Sequence, residues 1–189
     1  MVRAAFPNLP PAMAHLLGEP AVVVMGSRGW LPNEDSAAWF LSGVWPAVRA
    51  ALPEAVLHLF GVPPGTRTQA SPGVVLHPSS ENSADAFAPG SILVVPLRIA
   101  SGVRIKVLEA WARGVPVVGT PAALAGLEVE EGREALVARD ASEFSRAIGR
   151  LHQEPGLAET LVEAGHRARQ ERHDPARIAE RLVQEYGLA

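Results

Sequence analysis

The chain has 189 residues, 48% of them hydrophobic, with a net charge of -3 and no cysteine. That length suffices for one domain with a well-filled core, and the mild acidity argues against a nucleic-acid footprint. Lack of cysteine excludes a disulfide framework and thiol chemistry. The histidines at 15, 58, 77, 152, 166 and 173 show no paired metal spacing. No apolar run reaches the ~18 residues of a membrane span. The start of the chain carries Pro7, Pro10 and Pro11 where a signal peptide would carry an apolar core. The expectation is a cytoplasmic protein.

In chain order, residues 1–19 read as a proline-spaced linker or tail, and residues 20–189 as the folded domain, ending in a helix over 174–187. Residues 21–25 form a buried strand, followed by the tight turn Gly26-Ser27-Arg28-Gly29. Pro32-Asn33-Glu34-Asp35 opens a helix with Asn33 as its cap and acids in its first turn. Leu41, Val44, Val48 and Ala51 continue at helical spacing, and Pro46 within that pattern predicts a kink. Strands follow over 55–60 and 73–77, joined by a loop that contains Pro63-Pro64-Gly65. The turn His77-Pro78-Ser79-Ser80 ends the second of them, and residues 83–89 form a short helix.

Residues 91–96 hold the apolar run Ile92, Leu93, Val94 and Val95, the pattern of a strand buried on both faces. Ser101 is placed to cap a helix over 102–113, and Gly114 to end it. Another β-branched strand spans 115–118. This βαβ unit predicts a parallel sheet. Gly119-Thr120-Pro121 falls at a carboxyl strand edge, where open parallel sheets bind ligands. A short strand spans 134–138. Asp140 and Glu143 form a capping box for a helix with the apolar stripe Phe144, Ala147, Ile148 and Leu151. Helices over 156–170 and 176–186 close the chain, the second started by Asp174-Pro175. The arginine-rich residues 166–173 read as a solvated helix end. The fold class is α/β: a Rossmann-like open parallel sheet of about six strands with helices on both faces.

Two features of the 91–126 stretch point to a site. Ser101 and Gly102 stand where a strand meets a helix N-terminus, a place whose free amides and dipole favour phosphate. Gly102, Lys106 and Glu109 share one face of the predicted helix, so a lysine can meet phosphate charge and a carboxylate can take ribose hydroxyls. On spacing alone a second reading stands beside it. Lys106, Glu109 and Arg113 also pair across a solvated face, at about 0.2–0.5 kcal/mol per pair.

The stretch PLRIASGVRIKVLEAWARGVPVVGTPAALAGL resembles the nucleotide-sugar segment of retaining GT-B glycosyltransferases of the group 1, or family 4, type. Lys106, Glu109, Ala110, Gly114, Pro116, Val117 and Val118 match its Lys-x-x-Glu-Ala and Gly-x-Pro-Val-Val motifs. MGSRGWLPNEDSAAWF is similar to the opening of that family's C-terminal domain, and LEVEEGREALVARDASEFSRAI to its later strand and helix. The resemblance covers about residues 21–151.

It implies one half of a GT-B enzyme, the half that binds a UDP-, GDP- or ADP-linked sugar as donor, with no further cofactor and no metal. It implies that Ser101, Gly102, Val103, Arg104 and Lys106, with Ser27 and Arg28, hold the diphosphate, that Glu109 holds the ribose, and that His77, Pro78 and Thr120 border the base or sugar. Two departures stand out. Ser27 occupies the place of the family's arginine, with Asn33 near that of its lysine, and Ser101 replaces the first carboxylate of its Glu-x7-Glu pair. The acceptor, a sugar or a lipid-linked sugar, would then be bound by an N-terminal domain or a partner chain, in the cytoplasm or at the inner membrane face. Two rival readings are a non-catalytic module that supplies a donor site to a partner and a flavodoxin-like domain unrelated to sugars.

Overall fold

A computed structural model describes residues 4–26, 29–61, 72–78, 82–99 and 102–187. Six parallel strands form one sheet: β1 (Ala21–Met25), β2 (Val56–Phe60), β3 (Val74–His77), β4 (Ser91–Val95), β5 (Val117–Gly119) and β6 (Leu136–Val137). Their spatial order is β3-β2-β1-β4-β5-β6. The chain therefore works outward from β1 in one direction, then returns to β4 beside β1 and works outward in the other. Doubly wound sheets of this order open a crevice at the carboxyl ends of the two strands where the direction reverses. Here those strands are β1 and β4, paired in register from Ala21 with Ser91 to Val24 with Val94.

Alternation along each strand divides the core in two. Val22, Val24, Ile92 and Val94 face one side. They pack against α1 (Leu31–Trp39), α2 (Trp45–Ala51), the turn between them and α5 (Ala141–Gln153), through Phe40, Trp45, Val48, Phe144 and Ile148. Val23, Leu93 and Val95 face the other side and meet α3 (Ile105–Arg113) through Val107, Leu108 and Trp111. Behind α3 lies α6 (Leu157–Arg172), and α4 (Pro121–Leu124) and α7 (Pro175–Tyr186) complete the fold. Helices thus cover both faces, as expected. Trp111 is fully buried, and its indole N–H donates to the Glu134 carbonyl at 3.1 Å. Truncating a core aromatic of this kind costs about 3–5 kcal/mol.

The predicted kink at Pro46 takes the form of a π-helical turn, Phe40–Val44, between α1 and α2. Proline has no N–H to donate, and the ladder adjusts just before it: the Trp45 amide reaches back five residues to the Phe40 carbonyl. The box at Asp140 and Glu143 forms, with Glu143 N donating to Asp140 Oδ1 at 2.8 Å and Arg139 N to Glu143 Oε2 at 2.7 Å. Asp174 accepts from the amides of both Ala176 and Arg177.

Four expectations change. The helix predicted over 102–113 begins at Ile105, because Gly102 takes a left-handed φ of 73° and Arg104 is extended at the cap. Asn33 lies inside the first turn of α1, whose cap is Trp30. The short helix α4 follows β5, capped by Thr120, where only a strand end was expected. The arginine-rich end of α6 is not simply solvated. Arg169 and His173 are buried at 1% exposure each, and they hold the carbonyls of Phe6 (3.0 Å) and Ala4 (2.9 Å). The long arginine reaches inward because the residues before β1 lie against the domain and offer it unpaired carbonyls.

Those residues form an ordered strap. Phe6 N donates to the His173 carbonyl, Arg113 Nη1 to the Pro10 carbonyl at 3.0 Å, and His58 Nε2 to the Leu17 carbonyl at 2.9 Å. Ala12 is buried in the core on the α3 side.

Candidate functional site

A cavity of about 500 Å³ opens at the carboxyl ends of β1, β2 and β3, against the start of α3, the helix that follows β4. Its walls include Met25 and Gly26 after β1, Trp30 and Asn33 at the start of α1, Asn82 and Ser83 before β4, and Val103, Arg104, Ile105 and Lys106 at the start of α3. Close backbone approach shapes one wall. A Cβ on Gly61 would lie 2.0 Å from the Gly26 carbonyl, and one on Gly26 would strike the Asn33 side chain at 2.5 Å. Glycine at both positions lets the ends of β1 and β2 meet and leaves room for Asn33 to turn inward.

Lys106 is the chain's only lysine. Its ammonium donates to the Met25 carbonyl at 2.5 Å and approaches Asn33 Oδ1 at 3.4 Å. Both partners are neutral, and among the described residues Lys106 makes no ion pair. Burial first, and the neighbouring Arg104 charge second, push its pKa down from 10.5 to about 8. Arg104 is 7% exposed, donates to the Gly102 carbonyl at 2.7 Å and lies over the Trp30 ring at 5.8 Å. Two cations thus stand side by side at a helix start. The first turn of α3 leaves the amides of Ile105 and Lys106 without intrahelical acceptors. An anion placed in this cavity would meet two positive side chains, free amides and the positive end of a helix dipole.

Glu109 lies one turn along α3 from Lys106 and is 8% exposed. Its Oε1 accepts from Ser83 Oγ at 2.6 Å and from Arg113 Nε at 3.0 Å. The cavity wall at this point is Ser83, with Glu109 behind it. Both bonds fall on Oε1.

The other named residues divide as follows. Val103, Arg104, Lys106 and Pro78 line the cavity, and Gly102 is exposed in the turn before α3. The free helix amides expected at 101–103 fall instead at 105 and 106, with the later start of the helix. Ser27, Arg28 and Ser101 lie outside the described residues. Thr120 lines no cavity described here. Its hydroxyl donates to the Leu97 carbonyl and accepts from Ala123 N at 3.0 Å, so it serves as the cap of α4. His77 borders a second cavity of about 510 Å³, with residues 14–16 of the strap and Asp85. Phe60 and Pro78 line both cavities. His77 Nε2 meets His58 Nδ1 at 2.9 Å, and the ring stacks on Phe60. Burial first, then the His58 charge, lower its pKa, while Asp85 opposes them.

Sequence reasoning did not single out Ser83 or Trp30 for the site. Ser83 had no nearby motif, because its partner Glu109 is 26 residues away. Among the described residues no cluster of three or more His, Asp or Glu could hold a metal ion, and no helix is long and apolar enough to cross a membrane.

The comparisons agree with this fold. TarM of S. aureus superposes with a TM-score of 0.76 at 13% identity, over 97% of this chain and 38% of that one. Sucrose-phosphate synthase from Thermosynechococcus elongatus superposes with a TM-score of 0.70 at 21% identity, over 89% of this chain and 45% of that one. HepE of Anabaena, solved in complex with UDP-glucose, superposes with a TM-score of 0.70 at 14% identity, over 90% of this chain and 49% of that one. The chain thus spans less than half the length of each, and at these identities the likeness concerns the fold. No curated protein matches it. The family model of the glycosyl transferases, group 1, matches residues 19–154, from the end of the strap through α5. With most of its length inside that match, the chain belongs to the group 1 glycosyl transferases.

Proposed function

We propose that this domain binds a nucleoside-diphosphate sugar as the donor half of a retaining, family 4 type glycosyltransferase, in the place of that enzyme's C-terminal domain. The observation that carries this reading is the pair Arg104 and Lys106 beside the free amides of α3, in a cavity at the carboxyl edge of the sheet. A diphosphate brings two phosphate groups and replaces the neutral partners that Lys106 now has. The ribose hydroxyls would meet Ser83 and the Oε2 of Glu109, and the base would pass Pro78 toward His77. Ser101, Gly102 and Val103, with Ser27 and Arg28, would join Arg104 and Lys106 in holding the phosphates.

As the glycosidic bond breaks, negative charge grows on the leaving diphosphate. Fixed amides and cations there stabilise the transition state more than the ground state. The role asks for no metal, since the cations come from the protein. The acceptor, a sugar or lipid-linked sugar, would be held by a further domain or a partner chain, in the cytoplasm or at the inner membrane face. Residues 20–189 would be the donor domain and residues 1–19 its strap.

Calorimetric titration with UDP, GDP and ADP tests the reading. Binding of at least one is expected, and silence from all three at millimolar concentration would remove it.

A further inference from the structure

The second cavity has a chemistry of its own, fixed by a chain of hydrogen bonds. The Leu17 carbonyl can only accept, so the nitrogen of His58 that meets it, Nε2, carries the proton. In neutral His58 the other nitrogen, Nδ1, is then an acceptor. His77 Nε2, at 2.9 Å from it, must donate. That leaves His77 Nδ1 with a lone pair, as the only ring nitrogen of His77 open to a ligand. Burial of the His77 ring also disfavours its charged form.

Asp85 is the other polar group fixed in character. Its carboxylate lines the same cavity, is exposed, and makes no hydrogen bond or ion pair among the described residues. Both fixed groups are acceptors. Phe60 and His77 stack on each other, 4° from parallel with centroids 4.0 Å apart, and so form one flat aromatic wall; Pro78 adds an apolar edge, and the strap closes one side. Phe60 and Pro78 also join this cavity to the one that holds Lys106.

His15 of the strap also lines the cavity and can take either role, so the carboxylate is the group that discriminates, and it selects a base edge that donates. Guanine presents its N1–H and 2-amino group side by side, matched to the two oxygens of one carboxylate. Uracil presents one N–H between two carbonyls, which would face Asp85 with like partial charge. Adenine presents an amino group beside an acceptor nitrogen. We propose that the cavity formed by Asp85, His77 and the strap is the nucleobase end of the donor site, and that it selects guanine, making the donor a GDP-linked sugar. The inference rests on the donor-binding reading above and adds the identity of the base.

Titration of the full chain with GDP, UDP and ADP separates the two. GDP is expected to bind tighter than UDP and ADP by about tenfold or more, as for a hydrogen-bonded charged group. Asp85→Asn exchanges one acceptor oxygen for a donor at an exposed position. It is expected to weaken GDP by about tenfold while leaving UDP within about twofold. UDP or ADP binding as tightly as GDP overturns the assignment of the base, a GDP preference that survives Asp85→Asn overturns its reading by this cavity, and both leave the donor site standing. Failure of all three to bind overturns the donor site itself.

Discussion

Ser83 Oγ donates a 2.6 Å hydrogen bond to Glu109 Oε1, the same oxygen that Arg113 Nε reaches at 3.0 Å. The link joins the segment before β4 to the middle of α3 and puts a hydroxyl at the cavity wall with a carboxylate behind it. Ser83→Ala is expected to weaken nucleoside-diphosphate binding by about 0.5–1.5 kcal/mol, with little change in Tm. Glu109→Ala should weaken it by about 1–3 kcal/mol and also lower Tm, because Arg113, with an 11% exposed side chain, loses its counter-charge. Calorimetry and thermal unfolding of both variants check this. Unaltered affinity in Glu109→Ala would make the carboxylate a structural partner of Arg113 alone.

Lys106 sets a pH dependence whose sign differs for binding and stability. The protonated amine attracts a diphosphate, so affinity should fall as pH rises through about 8. Stability moves the other way. Between about pH 8 and 10.5 the unfolded chain keeps the proton that the folded chain has released, so unfolding free energy rises with pH in that window. The rise should reach about 2–3 kcal/mol, less than the full shift implies because the amine is only partly shielded from water. Lys106→Met should abolish both trends and be the more stable protein below pH 8. Titrations at pH 7, 8 and 9, with urea melts across the window, measure them.

Because Lys106 is the only lysine, amine chemistry reports on one side chain besides the chain terminus. An aldehyde that bears a phosphate, fixed by borohydride, should label it near pH 8, where a substantial fraction of the amine is unprotonated. UDP or GDP should protect it. Peptide mass mapping would read the result, and labelling unaffected by either nucleotide would place the diphosphate elsewhere.

The position of α3 depends on Gly165. A Cβ there would sit 2.4 Å from the buried Trp111 ring, where α6 crosses α3. Gly165→Ala should destabilise the fold by about 1–3 kcal/mol through overpacking, and weaken nucleotide binding as α3 shifts. Chemical denaturation checks the first effect. Gly149, with nothing near its Cβ position, serves as the control: Gly149→Ala should be neutral or stabilising.

Arg169 ties α6 to the strap through the Phe6 carbonyl while 1% exposed. Arg169→Ala should cost about 2–4 kcal/mol and release the strap, seen as faster amide exchange over residues 4–12. Slow exchange there in the variant would show that the apolar contacts of Phe6 and Ala12 hold the strap without it.

What the sequence determined by itself was local in origin. The β-branched runs, the αβ alternation and the Asp140 and Asp174 caps are decided by neighbours within a few residues, so six parallel strands and helices on both faces could be read directly. Lys106 and Glu109 were legible because they share a helix and a motif. Only the tertiary structure decided what depends on contacts far apart in the chain. Ser83 meets Glu109 across 26 residues, Arg98 clasps Asp35 across 63, and Lys106 reaches Met25 across 81. The buried role of Arg169 and the capping role of Thr120 also needed the fold, since whether a polar side chain faces water or a distant carbonyl is set by packing, and packing leaves no short-range signature.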